Sequence, residues 1–470
     1  MTISSLPLIL PVNISISPNP SDTFLSHLRL GSFRSLQHLP FRRVLILASV
    51  SAFHVSAQIT EFDLAWRGNQ SSSTHEIVVD PSADDTMWVT GQNFDAVARV
   101  STAGVIQHFP LPAGSGPHGI LFDGNGDLWV SLEFSGSVVR MDRSGDILET
   151  IDVRIEALGS VIPINPSPHG IGLGSDGETI WFTGKRTGTV GRINPDRSVE
   201  HFELPTIGSV SIYLVSGPDG NMWCTELVGN KIARISPAGV VTEFSIPTHN
   251  SRPIAIVPGP DGKSMWFSQE AGRAVARIGL DGVITELKVP LPQENMILAG
   301  LTFDNFGNLW TQGYVDSNDP LPEGPDFIIK IDKSVNITPS NNLANTPIEF
   351  FEIPTRNTIM HRIVQGPDGN IWFTELGTNK LGKLAFIDQL PTTEGLSLSY
   401  SFPQGSTLGW WGLPNKSYQV EYSENLITWF TDLPDSSIGS GPLIKPMSYR
   451  DSDAVQHPRR FYRLAVEGLD

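Results

Sequence analysis

The sequence has little of several things, and each scarcity excludes a class of protein. A single cysteine among 470 residues leaves no disulfide framework. Basic residues are outnumbered, 32 Lys and Arg against 49 Asp and Glu, and a net charge of -17 provides no basic face for nucleic acid. The apolar run Val44–Val55 is far shorter than the roughly 20 residues that span a bilayer, so we expect no membrane span. What is present is a composition that is 39% hydrophobic, with 11 Trp, which can bury a large core.

The same apolar run has the setting of a signal peptide. Arg42 and Arg43 precede it and Ser56-Ala57-Gln58 follow it, which predicts cleavage after Ala57. We therefore assign residues 1–57 to a signal peptide with an atypical N-terminal extension, for which a mis-assigned start codon is the simplest explanation. A retained membrane helix is the weaker alternative. The assignment predicts a secreted, periplasmic or cell-surface protein.

One pattern recurs through the middle of the chain. A turn of the Asp-Gly-Asn type precedes an apolar residue, a tryptophan and two β-forming residues, and a short loop and a basic strand follow. The clearest copies begin at Gly217 and Gly366, and the many glycines (44) and prolines (36) indicate frequent turns. The copies are anchored by Trp88, Trp129, Trp181, Trp223, Trp266, Trp310 and Trp372.

The repeat predicts an all-β fold. Each copy has room for four short antiparallel strands, which is the size of a propeller blade. We therefore predict a seven-bladed β-propeller over residues 58–390. Ile59–Leu64 matches the fourth-strand sequence Val241–Ile246, so an N-terminal strand is predicted to complete the last blade and close the ring. An open β-solenoid is the alternative.

Residues 391–470 lie beyond the repeat and form a separate C-terminal β domain in this prediction. Strands are predicted at Leu396–Phe402, Tyr418–Tyr422 and Phe461–Ala465. The segment resembles the small β-sandwich modules appended to many secreted bacterial proteins. That resemblance implies a unit that attaches the protein to a cell-surface or extracellular partner.

Candidate functional residues stand where first strands begin and second strands end. These points share one rim of the channel, because the two strands run antiparallel. The first set is His75, His118, His169, Ser211, Ile254, Ala299 and His361, with the histidines on four neighbouring blades. The second set is Glu133, Glu226, Glu270 and Glu375. Histidine serves as a general base near neutral pH and carboxylates hold divalent cations, whereas the structural alternative is that both sets cap strands.

The repeats resemble those of the virginiamycin B lyase (streptogramin B lyase) family. The resemblance rests on Trp-Phe-Thr-Glu and Asn-Lys-Leu-Gly-Lys-Leu in the seventh copy and on Val-Thr-Glu-Phe-Ser-Ile-Pro in the fourth, and it covers about residues 59–388. It implies a seven-bladed propeller that opens a cyclic depsipeptide by elimination at an ester, with Mg²⁺ and a histidine base.

The family's site residues can be carried over in two placements. In direct blade order His361 and Glu375 match, while Ala299 and Ile359 stand where a histidine and a glutamate are expected. In a rotated placement His75, His118 and Glu133 match, and Gly116 stands at the glutamate position.

We predict a lyase-like site at the channel mouth with His118 as general base. Glu133 is predicted to bind metal or orient the base, and His75 to orient substrate, with His361, Glu375 and His169 as second candidates. Glu133 and Glu375 are the predicted ligands of Mg²⁺. The predicted partner is a small molecule or cyclic peptide, and we expect a monomer. The alternatives are a non-catalytic propeller that binds a peptide or glycan, and a lactonase-like hydrolase.

Overall fold

The computed structural model describes residues 45–46, 57–66, 73–83, 85–156, 162–315, 324–338, 343–386, 397–401, 405–412, 417–424, 428, 430–439, 445–453 and 460–466. The chain divides into two compact units, Ala57–Ala385 and a second unit formed by residues on either side of it. Within the described ranges, no helix combines the length and apolar character needed to cross a membrane. Most of the predicted signal peptide lies outside these ranges, and its cleavage after Ala57 stays a prediction.

The first unit is a ring of seven four-stranded antiparallel sheets, as the repeat predicts. Strand β1 (Leu45–Ile46) belongs to the second unit, and strand β2 (Ala57–Asp63) is the first of the ring. Blade one is β3 (Thr74–Val79), β4 (Thr86–Gly91), β5 (Ala96–Ser101) and β6 (Ile106–Pro110). Blade two is β7 (Pro117–Phe122), β8 (Leu128–Leu132), β9 (Ser137–Met141) and β10 (Ile147–Asp152). Blade three is β11 (Pro168–Leu173), β12 (Ile180–Gly184), β13 (Thr189–Ile193) and β14 (Val199–Glu203).

The remaining blades continue in chain order. Blade four is β15 (Ser211–Ser216), β16 (Met222–Glu226), β17 (Lys231–Ile235) and β18 (Val241–Ser245). Blade five is β19 (Pro253–Pro258), β20 (Ser264–Gln269), β21 (Ala274–Gly279) and β22 (Ile284–Lys288). Blade six is β23 (Met296–Phe303), β24 (Leu309–Val315), β25 (Phe327–Ile331) and β26 (Ile348–Glu352). Blade seven is β27 (Met360–Gln365), β28 (Ile371–Glu375) and β29 (Lys380–Phe386), with β2 as its outer strand. Short 3₁₀ helices occupy Gln92–Phe94 and Lys333–Ile337.

Each blade is built around its repeated tryptophan, and blade four shows how. Trp223 is fully buried, and its indole N–H donates to Asp219 of the preceding turn at 3.0 Å. The guanidinium of Arg234 lies 5.6 Å from the Trp223 ring and 5.4 Å from the ring of Phe244. The repeated Trp, basic residue and Phe therefore form one stack across the second, third and fourth strands, which explains why the three recur together.

The N-terminal strand gives blade seven the same stack, which confirms the predicted closure. Phe62 in β2 stacks on Trp372 with ring centroids 5.5 Å apart, and Lys383 lies 5.0 Å from the Trp372 ring. Lys380 in β29 forms an ion pair with Glu61 in β2 at 2.8 Å. Strand β2 therefore replaces the fourth strand that the last repeat lacks, and no blade edge is left open at the junction.

The second unit contains two small sheets. Its strands are β30 (Ser397–Ser401), β31 (Gly405–Gly412), β32 (Ser417–Ser423), β33 (Ser437–Gly439), β34 (Lys445–Asp451) and β35 (Phe461–Val466), ordered β1-β35-β32-β33 and β30-β31-β34. Leu408, Tyr418 and Tyr449 contribute to a core shared by both sheets. Buried Asp451 binds Arg460 and the Tyr462 hydroxyl, each at 2.6 Å.

Candidate active site

Four histidines meet in the channel at the first strands of blades seven, one, two and three. The rings of His118 and His169 stack with centroids 3.4 Å apart, and the His75 ring lies 4.6 Å from His118 and 5.0 Å from His361. In each of the four strands the residue before the histidine pairs with the second strand, and the register shifts directly afterwards. The four rings therefore occupy one equivalent position of the repeat, at an irregularity that turns the side chain into the channel.

The strand register corrects one of the positions predicted to stand at the channel. Ser211 pairs with Glu226 as Pro117 pairs with Leu132, so Ile212 of blade four is the equivalent of His118. Ser211 is buried, and its hydroxyl donates to the Thr189 carbonyl at 3.1 Å. The one-residue error arose because the repeat was aligned by sequence spacing, which does not show where a bulge begins.

A hydrogen bond between blades fixes the backbone at each histidine. The Thr90 hydroxyl accepts from the Glu76 N–H of its own blade and donates to the His118 carbonyl of the next blade at 2.8 Å. Ser131 donates to the His169 carbonyl at 2.7 Å, by the same arrangement. Equivalent bonds run from Thr374 to the carbonyl of His75, from Thr183 to that of Ile212 and from Thr225 to that of Ile254. In blade six, Gln312 donates to the carbonyl of Arg362, one residue after His361. We call these contacts the inter-blade latches.

Glu133 is the centre of one side-chain network. It directly follows the second strand of blade two, and Gln92 and Lys185 occupy the equivalent positions of blades one and three. The Glu133 carboxylate accepts from Gln92 at 2.7 Å and from His169 Nδ1 at 2.9 Å, and it pairs with Lys185 at 3.1 Å. Burial alone would raise the pKa of Glu133, but the hydrogen bond from His169 and the charge of Lys185 help to lower it to about 2. Glu133 is therefore a charged carboxylate that orients His169 rather than His118.

A second network crosses the channel, and the sequence analysis missed it. The Tyr213 hydroxyl donates to the buried Glu76 carboxylate, and it lies 2.7 Å from His361 Nε2. Arg362 pairs with Glu76 at 3.1 Å and its guanidinium stacks 4.5 Å from the Tyr213 ring. Burial raises the pKa of Glu76, against the opposing effects of Arg362 and Tyr213.

One sequence signal would have found this network. Glu76, Tyr213 and Arg362 each directly follow the position that the channel histidines occupy in the repeat. Only some copies of the repeat have a polar residue at this following position. At a bulge two consecutive residues oppose one partner residue, so the position after the histidine also reaches the channel. The sequence analysis considered only the histidine position itself.

The four predicted glutamates occupy two different positions of the repeat. Glu226 and Glu375 are the last residues of β16 and β28, one position before the equivalent of Glu133. Glu375 accepts from the Thr378 hydroxyl at 2.7 Å, and burial raises its pKa to about 7. Glu270 shares the position of Glu133 but pairs with Arg252 at 2.6 Å. Of the four, Glu133 alone contacts a channel histidine.

The histidine rings are held neutral. Burial lowers the pKa of His75 to about 3, and burial is also the first cause that lowers the pKa values of His118, His169 and His361. His75 Nδ1 and His118 Nε2 are buried without a hydrogen-bond partner. The cluster therefore presents nitrogen lone pairs that can take a proton or bind a metal ion.

Comparison with known proteins finds sequence similarity to virginiamycin B lyases. Residues 154–317 match the sequence model of the virginiamycin B lyase family. A virginiamycin B lyase from Nocardia farcinica (strain IFM 10152) is 30% identical over 147 residues, which are 31% of this chain and 47% of that protein. The chain thus spans about half the length of the curated relative that it matches.

Solved structures extend the likeness to the whole ring. A virginiamycin B lyase from Staphylococcus aureus has 27% identity and a TM-score of 0.57, over 71% of this chain and 100% of that chain. The propeller resembles the virginiamycin B lyase family. A streptogramin B lyase structure matches with a TM-score of 0.58 and 24% identity, over 70% of this chain and 98% of that one, which supports the fold. A catalytically inactive S. aureus virginiamycin B lyase was crystallised with quinupristin, and it matches with the same 27% identity, TM-score and coverage as the first.

The Mg²⁺ implied by the resemblance to virginiamycin B lyases does not fit the residues of this channel. Mg²⁺ requires oxygen ligands in octahedral geometry. In direct blade order one ligand position is the apolar Ile359, and Glu375 is bound to Thr378. In the described part of the channel, Glu133 forms an ion pair with Lys185, and Glu76 forms one with Arg362. We therefore derive no catalytic step through Mg²⁺.

Proposed function

We propose that this propeller opens a cyclic ester by elimination at the channel edge formed by blades seven, one, two and three. The observation that carries the proposal is the pair of Glu133 and His169. A charged, buried carboxylate 2.9 Å from His169 Nδ1 fixes the tautomer that leaves Nε2 with its lone pair, as a general base requires. The family resemblance and the relative crystallised with quinupristin support the choice of a cyclic depsipeptide ester as substrate class.

The proposed reaction is a β-elimination. His169 Nε2 removes the proton on the carbon next to a carbonyl group. The electron pair of that C–H bond forms a C=C double bond, while the bond between the β-carbon and the ester oxygen breaks. The carboxylate leaves with the bonding pair, so the ring opens without water, and the resulting imidazolium is stabilised by the adjacent Glu133 carboxylate.

Lys185 supplies positive charge at the same edge. Its ammonium lies 3.1 Å from Glu133, and its side chain is 37% exposed, so it faces both the pair and the solvent. Negative charge develops on the substrate carbonyl oxygen when the proton leaves. A fixed cation near that oxygen stabilises the transition state more than the ground state.

The test is product analysis with quinupristin and a panel of cyclic esters and lactones. Elimination gives a product of unchanged mass with a new double bond, whereas hydrolysis adds one water. We expect the full chain to give the elimination product, and His169→Ala to lower kcat/KM by about 10²–10⁴-fold. His249→Ala, on an exposed loop, is the matched control and should keep wild-type activity. A product that has gained one water would identify a lactonase-like hydrolase instead of a lyase. Binding without turnover would identify a non-catalytic propeller.

A further inference from the structure

We propose that His75, His118 and His361 bind a divalent transition-metal ion of the zinc type. One nitrogen from each ring lies within 4.8 Å of a nitrogen of the other two, at the meeting point of blades one, two and seven. The inference goes beyond the proposed elimination and stands without it, because it concerns binding by three rings that do not include the proposed base.

His118 has the geometry of a metal ligand that is already oriented. Its Nδ1 lies 3.3 Å from the His169 carbonyl oxygen, so Nδ1–H donates there and Nε2 keeps its lone pair. Nε2 is fully buried and has no partner, which is a costly state for an acceptor. Metal-binding histidines characteristically donate their other ring N–H to a carbonyl or carboxylate, and a bound cation would satisfy the remaining nitrogen.

His75 and His361 complete the set. His75 Nδ1 is buried without a hydrogen-bond partner, and the tautomer with its proton on Nε2 gives this nitrogen a lone pair. The Tyr213 hydroxyl has one hydrogen and donates it to Glu76, so it accepts from Nε2–H of His361. In both rings this tautomer leaves Nδ1 with a lone pair.

The donor set selects the class of metal. Imidazole nitrogen suits Zn²⁺, Cu²⁺, Ni²⁺ and Fe²⁺, whereas Mg²⁺ and Ca²⁺ prefer oxygen ligands. Zinc–nitrogen bonds of about 2.0–2.1 Å in a tetrahedron separate the nitrogens by roughly 3.4 Å. The three candidate nitrogens lie within 4.8 Å of one another, so ring movements of about 1 Å would bring them to this spacing. Three histidines leave a fourth position open to water or a ligand.

A competing ligand set contains Glu133 and His169 in addition to His118. We favour the three-histidine set because Glu133 already accepts from Gln92 and pairs with Lys185. His169 Nδ1 is likewise committed to Glu133. A cation bound by Glu133, His118 and His169 would have to displace Lys185 from Glu133. A cation bound by the three histidines leaves the ion pair between Lys185 and Glu133 intact.

The experiment is metal binding to the full chain freed of any polyhistidine tag. We expect one Zn²⁺ or Co²⁺ per chain by calorimetry and elemental analysis, with visible absorption bands for bound Co²⁺, and no displacement by millimolar Mg²⁺. His118→Ile and His75→Gln should weaken Co²⁺ binding at least 10²-fold; isoleucine is the residue that blade four carries at the equivalent position. Tyr213→Phe should weaken it about 10-fold, because it removes the acceptor that orients His361.

Two outcomes would overturn the assignment. If wild type binds neither Zn²⁺ nor Co²⁺, the cluster is not a metal site. If Glu133→Gln abolishes binding while His361→Gln leaves it unchanged, the ion occupies the competing set. Exposed His249→Ala controls for adventitious binding to surface histidine, and circular dichroism spectra confirm that each variant is folded. Tyr213→Phe keeps all three ligands, so it tests the site even if a histidine variant fails to fold.

Discussion

The two halves of the ring share one repeat and its inter-blade latches, yet they differ at the position of the repeat that the channel histidines occupy. Blades seven, one, two and three carry His361, His75, His118 and His169 there, and blades four, five and six carry Ile212, Ile254 and Ala299. The latches from Thr183 and Thr225 bind the carbonyls of Ile212 and Ile254, as those from Thr90 and Ser131 bind the carbonyls of His118 and His169. The fold therefore does not require histidine at this position, which separates the scaffold from the cluster that it carries.

The position after the second strand, which is glutamate in blades two and five, shows a similar contrast. Glu133 binds Gln92, His169 and Lys185 in the histidine half, whereas Glu270 in blade five pairs with Arg252, whose side chain is 47% exposed. The same repeat position thus serves a buried network in one half and an ion pair with a half-exposed arginine in the other.

The largest predicted effect compares these two glutamates. Glu133→Gln removes the charge that orients His169 and stabilises its protonated form, so we expect kcat/KM for the cyclic ester to fall by about 10²–10⁴-fold. Glu270→Gln should leave kcat/KM within about 2-fold, because its carboxylate pairs only with an exposed arginine in blade five. Steady-state kinetics on both variants test the comparison. Equal losses of kcat/KM in the two variants would show that Glu133 has no special role in the reaction.

The next prediction compares the closing strand with an ordinary fourth strand. Leu64 and Ile246 occupy matching positions after β2 and β18, and both are buried. Each truncation to alanine should lower the free energy of unfolding by about 2–5 kcal/mol, because each leaves a cavity between strands. Urea unfolding measures both. A loss well below 1 kcal/mol for Leu64→Ala would mean that the N-terminal strand does not close the ring in solution.

The closing strand is also where the sequence was most informative. Its match to the fourth-strand sequence and the recurrence of the tryptophan with its turn are local features, and local features repeat wherever the blade repeats. Phe62 and Lys380 took the places that the repeat assigns to them, so the number of blades and the ring closure were predictable.

The site was less predictable, because its contacts cross the channel. Glu76 and Tyr213 are 137 residues apart and meet only when the ring closes. No spacing within one repeat encodes that contact. Glu133 illustrates a second limit: its partner is His169 of the next blade rather than His118 of its own, since the side chain reaches across the boundary between blades. The sequence therefore identified the channel histidines and Glu133, but neither the partner of Glu133 nor the network of Glu76, Tyr213 and Arg362.

A third prediction contrasts Glu226 of blade four with Glu133. Burial, followed by the charge of Glu243, raises the pKa of Glu226 to about 8 from 4.5, so between these pH values the folded state holds a proton that the unfolded state has lost. The free energy of unfolding must therefore fall as pH rises through this window. Glu226→Gln removes the effect, and we expect it to gain about 1–3 kcal/mol relative to wild type between pH 5 and pH 9.

Urea unfolding at several pH values measures that gain. Glu178→Gln, on the exposed surface, controls for the loss of one carboxylate. If the difference between Glu226→Gln and wild type stays constant from pH 5 to pH 9, the side chain is not a buried acid in the folded protein.

The smallest predicted effect uses the latches to separate scaffold from site. Thr90→Val and Thr225→Val each leave one N–H and one carbonyl without a hydroxyl partner, so each should cost about 1–2 kcal/mol in the free energy of unfolding. Only the Thr90 latch holds a histidine, so only Thr90→Val should also weaken Co²⁺ binding, by a few-fold to about 10-fold. The Thr225 latch holds Ile254, and its loss should leave metal affinity unchanged. Equal metal affinities in two equally destabilised variants would show that the latches support the ring without positioning His118.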